Sequence, residues 1–241
     1  MSLNFEELDY RQTRLGDLSL RRRRFPHAGQ TDIYEVKLGD EFLMSSLFVE
    51  AEEALARLGL QRFSRQAVDV VVGGLGLGYT AAAALAFANV RSLLVIETLA
   101  PVIDWHRQGL LPLGQRLTSD PRCQFVEADF FALAGSATQG FDLQSRGRRF
   151  DAILLDIDHA PDDLLHSQHA GFYQPSGLKQ LTQYMHKDGV FGLWSNDPPN
   201  TDFVQRLKSV FADVETHIIE FDNVLQGRQS TNTVYIACLG H

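Results

Sequence analysis

Four places in the chain put groups capable of chemistry at the ends of apolar runs. The densest is Asp156-Ile157-Asp158-His159-Ala160-Pro161. It follows five residues, 151–155, that hydropathy expects to be deeply buried. A carboxylate delivered there is positioned rigidly and partly desolvated, which suits a general base. Asp158 and His159 beside it offer a second carboxylate and an imidazole. A histidine near an aspartate can act as a base dyad, the carboxylate setting the tautomer. Glu97 ends the run 91–96, where a carboxylate can accept two hydrogen bonds from a ribose diol. Asp129 ends the run 123–128. An aspartate there also serves simply as a helix cap, and both readings stand.

The fourth place is a glycine loop. Residues 70–80 read VVVGGLGLGYT. Apolar β-branched residues lead into Gly73, Gly74, Gly76 and Gly78, and an alanine-rich segment, 81–88, favours helix behind them. Strand, tight turn and helix in that order form a cradle for a nucleotide-like ligand. Gly76 to Ala81 satisfies the GxGxxA pattern of nicotinamide dinucleotide folds, with Glu97 at a fitting distance. Gly74-x-Gly76-x-Gly78 fits the glycine pattern of S-adenosylmethionine-dependent transferases equally well. Asp129 and Asp156 belong only to the second pattern.

Other polar groups lie nearby in sequence. The run Ser195-Asn196-Asp197-Pro198-Pro199 ends a strand, Gln226 and Arg228 stand where a late loop would close over a site, and His166 and His169 follow the Asp156 loop. No spacing of histidine, cysteine and carboxylate forms a metal-ligand set, so no metal is expected.

Positioning these groups requires a layered α/β domain. Strands are expected at 67–73, 91–97, 123–128, 150–156, 189–195, 214–221 and 232–239. Helices are expected at 79–88, 101–109, 175–186 and 201–212. Residues 48–58 also carry apolar positions at helical spacing. This alternation predicts a doubly wound, mostly parallel Rossmann-like sheet with helices on both faces. The last two strands have only a turn-rich link, so an antiparallel final strand is expected. Residues 1–46 read differently, with short strands at 18–20, 31–38 and 41–44 around a Gly39-Asp40 turn. They predict a small β-hairpin appendage before a nucleoside-binding domain over 47–241. The basic run 21–24 inside it is read as a solvated strand edge or a contact patch.

With 241 residues, 44% hydrophobic, and a net charge of −8, one globular domain with an appendage is expected. The acidic balance gives no reason to expect nucleic acid or an anionic membrane as partner, and it is compatible with a cationic substrate. Residues 1–7 lack the features of a signal peptide, and no apolar run is long enough to span a bilayer. Cys123 and Cys238 fall in expected strands as buried free thiols, consistent with a cytoplasmic protein.

Taken together, these motifs resemble the spermidine synthase family of aminopropyltransferases, from about residue 18 to residue 239. Residues 73–78 stand where that family has its glycine motif, Glu97 at its ribose-binding acid, and Asp129 at its adenine-side aspartate. Asp156 to Pro161 resembles its catalytic loop, whose first aspartate is the base. The resemblance implies a class I methyltransferase fold and a donor that is S-adenosylmethionine or its decarboxylated form. It also implies a small-molecule acceptor such as an amine, and pairing into a homodimer. Departures are as informative. The family's glycine motif holds an aspartate for the ligand amine, but residues 70–80 contain no acid. If Glu53 is the glutamate of the preceding helix, the family's tyrosine falls on Ala51 and its upstream glutamine on Phe42. Residues 223–228 lack its late tyrosine. Methyl transfer to a small molecule and a non-catalytic nucleoside-binding role are therefore alternative expectations.

Overall fold

The valine run at 70–72 lies at the centre of the molecule because both of its faces are covered. The computed structural model describes residues 5–24 and 32–240. Its main sheet has seven strands: β5 (Val68–Gly73), β6 (Val90–Glu97), β7 (Cys123–Glu127), β8 (Phe150–Leu155), β9 (Met185–Ser195), β10 (Asp213–Asn223) and β11 (Arg228–Cys238). The spatial order is β10-β11-β9-β8-β5-β6-β7. Strands β5 to β9 are parallel. β11 runs antiparallel between β9 and β10, as the short link at 224–227 requires. The order reverses at β5, which places the crevice beyond the carboxyl ends of β5 and β8.

Strand alternation divides the core. Val70 and Val72 face a cluster with Leu55, Ala81, Val102 and Trp105, while Val71 faces one with Phe130, Leu178, Phe191 and Phe203. Helices α1 (Glu50–Leu60), α2 (Tyr79–Leu85), α3 (Ala100–Arg107) and α4 (Gly114–Ser119) supply the first layer. Helices α5 (Phe130–Gly135), α6 (Pro175–Leu181) and α7 (Thr201–Lys208) supply the second. The six-residue helices α4 and α5 fall where no helix is expected, being too short to show a period. The helix expected over 175–186 stops at Leu181. One 3₁₀ turn follows, and β9 begins at Met185.

The amino-terminal element is larger than a hairpin. It is a four-stranded antiparallel sheet of β1 (Phe5–Thr13), β2 (Gly16–Arg24), β3 (Asp32–Leu38) and β4 (Glu41–Ser45) in chain order. Strand β1 goes unforeseen because its charged residues hide the alternation. β2 is an interior strand, so its arginine run is not an edge. Arg22 pairs with Glu6 on β1, while Arg23 and Arg24 pair with Glu35 and Asp32 on β3. Leu18, Leu20 and Val36 join the first core layer. Residues 1–4, read above for a leader, and Thr31, read as a strand start, lie outside the described residues. No helix among the described residues is long and apolar enough to cross a membrane.

Candidate active site

The glycine loop is shaped first by the protein around it. Gly74 has φ +93°, and a Cβ there would fall on the carbonyl oxygen of Asp156. The two strand ends approach this closely because Asp156 N donates to Gly73 O at 2.8 Å; on the other side Gly74 N donates to Ile96 O of β6 at 2.9 Å. Gly78, at φ +94°, caps α2 against Leu117 and His106. Leu75 and Leu77 are buried and anchor the loop. Glu97 accepts from Leu75 N at 3.0 Å and from Leu99 N at 2.8 Å, tying the loop to the end of β6. Burial pushes its carboxyl up, against those backbone donors. Gly76 N and Thr98 N also face that carboxylate as donors, and Glu97 does not line the cleft above β8 and β9.

His106 is a support that sequence reasoning missed. Its Nε2 lies 2.8 Å from Gly76 O, beneath the loop. A carbonyl accepts only, so Nε2 carries the proton and Nδ1 does not. Burial pushes the imidazole down, keeping it neutral. On the loop's other side, Met44 of β4 rests its thioether over Gly76, which has no Cβ to prevent it.

Above the carboxyl ends of β8 and β9 lies a cleft of about 260 Å³. The glycine loop, α1, β4 and the β10–β11 hairpin enclose it. Asp156 lines it, and the Thr80 hydroxyl donates to Asp156 Oδ2 at 2.8 Å. Desolvation raises the Asp156 carboxyl to about 6, and the Thr80 bond opposes that rise. Glu52 lines the same cleft. Burial, and then the Asp156 charge, push Glu52 well above the usual carboxylate range. Two like charges this near do not both ionise readily, and the Asp156 charge favours the protonated form of Glu52. Of the acids in α1, it is Glu52 and not Glu53 that enters the site; Glu53 is exposed. Three acids within one turn, Glu50, Glu52 and Glu53, gave no sequence signal for which one would face inward.

The remaining candidates separate. Asp158 is buried at 1% exposure and does not line the cleft. Its carboxylate accepts from Tyr173 Oη at 2.8 Å and Leu165 N at 2.9 Å, and meets His169 Nδ1 at 2.9 Å. The histidine–aspartate pair of this loop is thus His169–Asp158, a tie that holds the loop to the following 3₁₀ turn. It is not the His159–Asp158 dyad expected from the sequence, because adjacent loop residues point to opposite sides. His159 does line the cleft, with Nε2 3.0 Å from Glu41 Oε1 at the mouth. Asp129 caps α5, accepting from Phe131 N and Ala132 N through Oδ1, and lies outside the cleft. His166 caps the 3₁₀ turn at 167–171. Gln226 and Arg228 bond to each other on the hairpin and do not line the cleft. Asn196 and Asn232 do line it. Among the described residues, no three histidines, cysteines or carboxylates are grouped to hold a metal ion.

No protein-family model and no curated protein sequence matches the chain. Solved structures do. A spermidine synthase in complex with the transition-state analogue AdoDATO superposes with a TM-score of 0.74 at 17% identity, covering 97% of this chain and 74% of that one. The spermidine synthase from Thermotoga maritima gives 0.72 at 17% identity, covering 97% and 73%. The seven-stranded sheet with its antiparallel β11, and the four-stranded sheet before it, therefore share the fold of the spermidine synthases.

Proposed function

We propose that the chain is a spermidine synthase-like group transferase with an adenosyl sulfonium donor and Asp156 as base. The observation that carries this is Asp156 itself: a carboxylate at the switch point, facing a cleft, raised to about 6 by desolvation. Such a group is ionised at neutral pH and still a strong enough base to take a proton. An acceptor ammonium gives its proton to Asp156. The freed nitrogen lone pair then attacks the donor carbon next to sulfur. The C–N bond forms as the C–S bond breaks, and that electron pair leaves on sulfur as a neutral thioether. Proximity and orientation supply most of the remaining acceleration.

In this reading the glycine loop cradles the nucleoside, Glu97 takes the ribose diol and Asp129 takes the adenine side. Residues 1–46 cover the site as a separate element, through Met44 and β4, while residues 47–241 carry the transferase. Asp158 is a positioning residue that holds the loop bearing Asp156. Replacing Asp156 with Asn should lower turnover by about 10²–10⁴ with donor affinity nearly unchanged. A fully active variant would remove it as the base.

A second reading is methyl transfer from S-adenosylmethionine. It is favoured by the lack of any acid in residues 70–80 to hold the amine of a decarboxylated donor. Calorimetric titration of both donors separates the two, since a clear preference for the decarboxylated form counts against methyl transfer.

A further inference from the structure

If the cleft receives an amine acceptor, as proposed above, its walls restrict which amine. Its two carboxylates, Glu52 and Asp156, both line it and lie near enough for the charge of Asp156 to act on Glu52. Burial and the Asp156 charge both favour the protonated form of Glu52, so the pair resists carrying two negative charges. A third acid, Glu41, lies at the mouth, but it is engaged by His159. Five aromatic side chains also line it, Phe42, Phe48, Tyr79, Trp194 and Phe221, among aliphatic residues such as Leu43, Met44 and Ile157. Phe48 and Phe221 meet with ring centroids 5.2 Å apart, so the segment between β4 and α1 and the β10–β11 hairpin share an aromatic contact. The side-chain amides there are partly spent on each other, Asn232 Nδ2 donating to Asn196 Oδ1 at 3.1 Å.

A diamine acceptor carries a second ammonium with three N–H donors. With the first ammonium at Glu52 and Asp156, the second would lean on the aromatic side chains, where the one further acid, Glu41, is already bonded to His159, and a charge buried without a partner is strongly disfavoured. An apolar ring in the same place is favoured, because aromatic pairs add to simple area burial. We propose that the acceptor is a monocationic amine with a flat apolar body, its ammonium at Glu52 and Asp156 and its ring against Phe48 and Phe221.

The test uses the full chain with decarboxylated S-adenosylmethionine, and separately with S-adenosylmethionine. The acceptors are 2-phenylethylamine, tryptamine, putrescine and cadaverine, with products identified by mass spectrometry. The arylalkylamines should exceed the diamines at least tenfold in kcat/KM, and Phe48→Ala and Phe221→Ala should each narrow that ratio. Equal or better use of the diamines overturns the inference and leaves the transferase reading standing. Calorimetric titration of the same amines gives a readout independent of turnover. Tighter binding of 2-phenylethylamine without product keeps this recognition and overturns the transfer reading. Tighter binding of putrescine overturns the inference whatever the turnover.

Discussion

The Thr80 hydroxyl donates to Asp156 Oδ2 at 2.8 Å, linking the first turn of α2 to the end of β8. That bond favours the ionised carboxylate against the desolvation that raises it. Thr80→Val should therefore raise Asp156 above about 6. The acid limb of the kcat/KM profile, set by the free enzyme, should move to higher pH. An unmoved limb in a pH series from 5 to 8 would show that some other group sets it.

Asp156 should cost stability in a defined pH window. Its folded value lies near 6 and its ordinary value is 3.8, so the folded state binds more protons between the two. Stability then falls as pH rises across that window, and the cost is complete above it. At about 1.4 kcal/mol per pH unit the interval amounts to at most about 3 kcal/mol, less where solvent reaches the group. Asp156→Asn should melt several degrees above the parent at pH 8 and level with it near pH 4, measured by thermal unfolding.

Asp158 is held for structure. Its partner Tyr173 is fully buried, and burial with the adjacent carboxylate pushes the phenol well up, so it remains a donor. Tyr173→Phe leaves a buried carboxylate one bond short and should cost about 1–3 kcal/mol in urea denaturation. The acid limb of the pH–rate profile should stay where it is. A shifted limb would return Asp158 to the proton-transfer step.

Two glycines with positive φ should respond differently to alanine. Gly109 has φ +71° with open space around it, so Gly109→Ala should cost about 1–2 kcal/mol from backbone strain alone. Gly74→Ala adds a collision with the Asp156 carbonyl and should cost clearly more, separating β5 from β8 at the site. Equal losses in denaturant midpoint would contradict the close approach of the two strand ends.

Much of the fold is written in local patterns. The runs 70–73 and 152–155 are apolar throughout because the strands are covered on both faces. The antiparallel β11 follows from a link too short for a crossover. Strand β1 and helices α4 and α5 escape notice because a charged, half-exposed strand and a six-residue helix carry almost no periodicity.

The site divides along the same line. Sequence alone determined that Gly73 to Gly78, Glu97 and Asp156 stand at strand ends, since glycine runs and carboxylates after buried β-strands are readable by position. It could not determine which neighbour faces the cleft. Asp158 and His159 are adjacent, yet one is spent on Tyr173 and His169 and the other meets Glu41. Glu52 and Glu53 are adjacent, and only the packing of α1 on the sheet turns Glu52 toward Asp156. The raised carboxyl of Asp156 and the neutral His106 under Gly76 are likewise products of burial among segments distant in sequence. Local pattern specifies an element and its end. The direction of each side chain, and the charge it holds, come from what the tertiary structure packs against it.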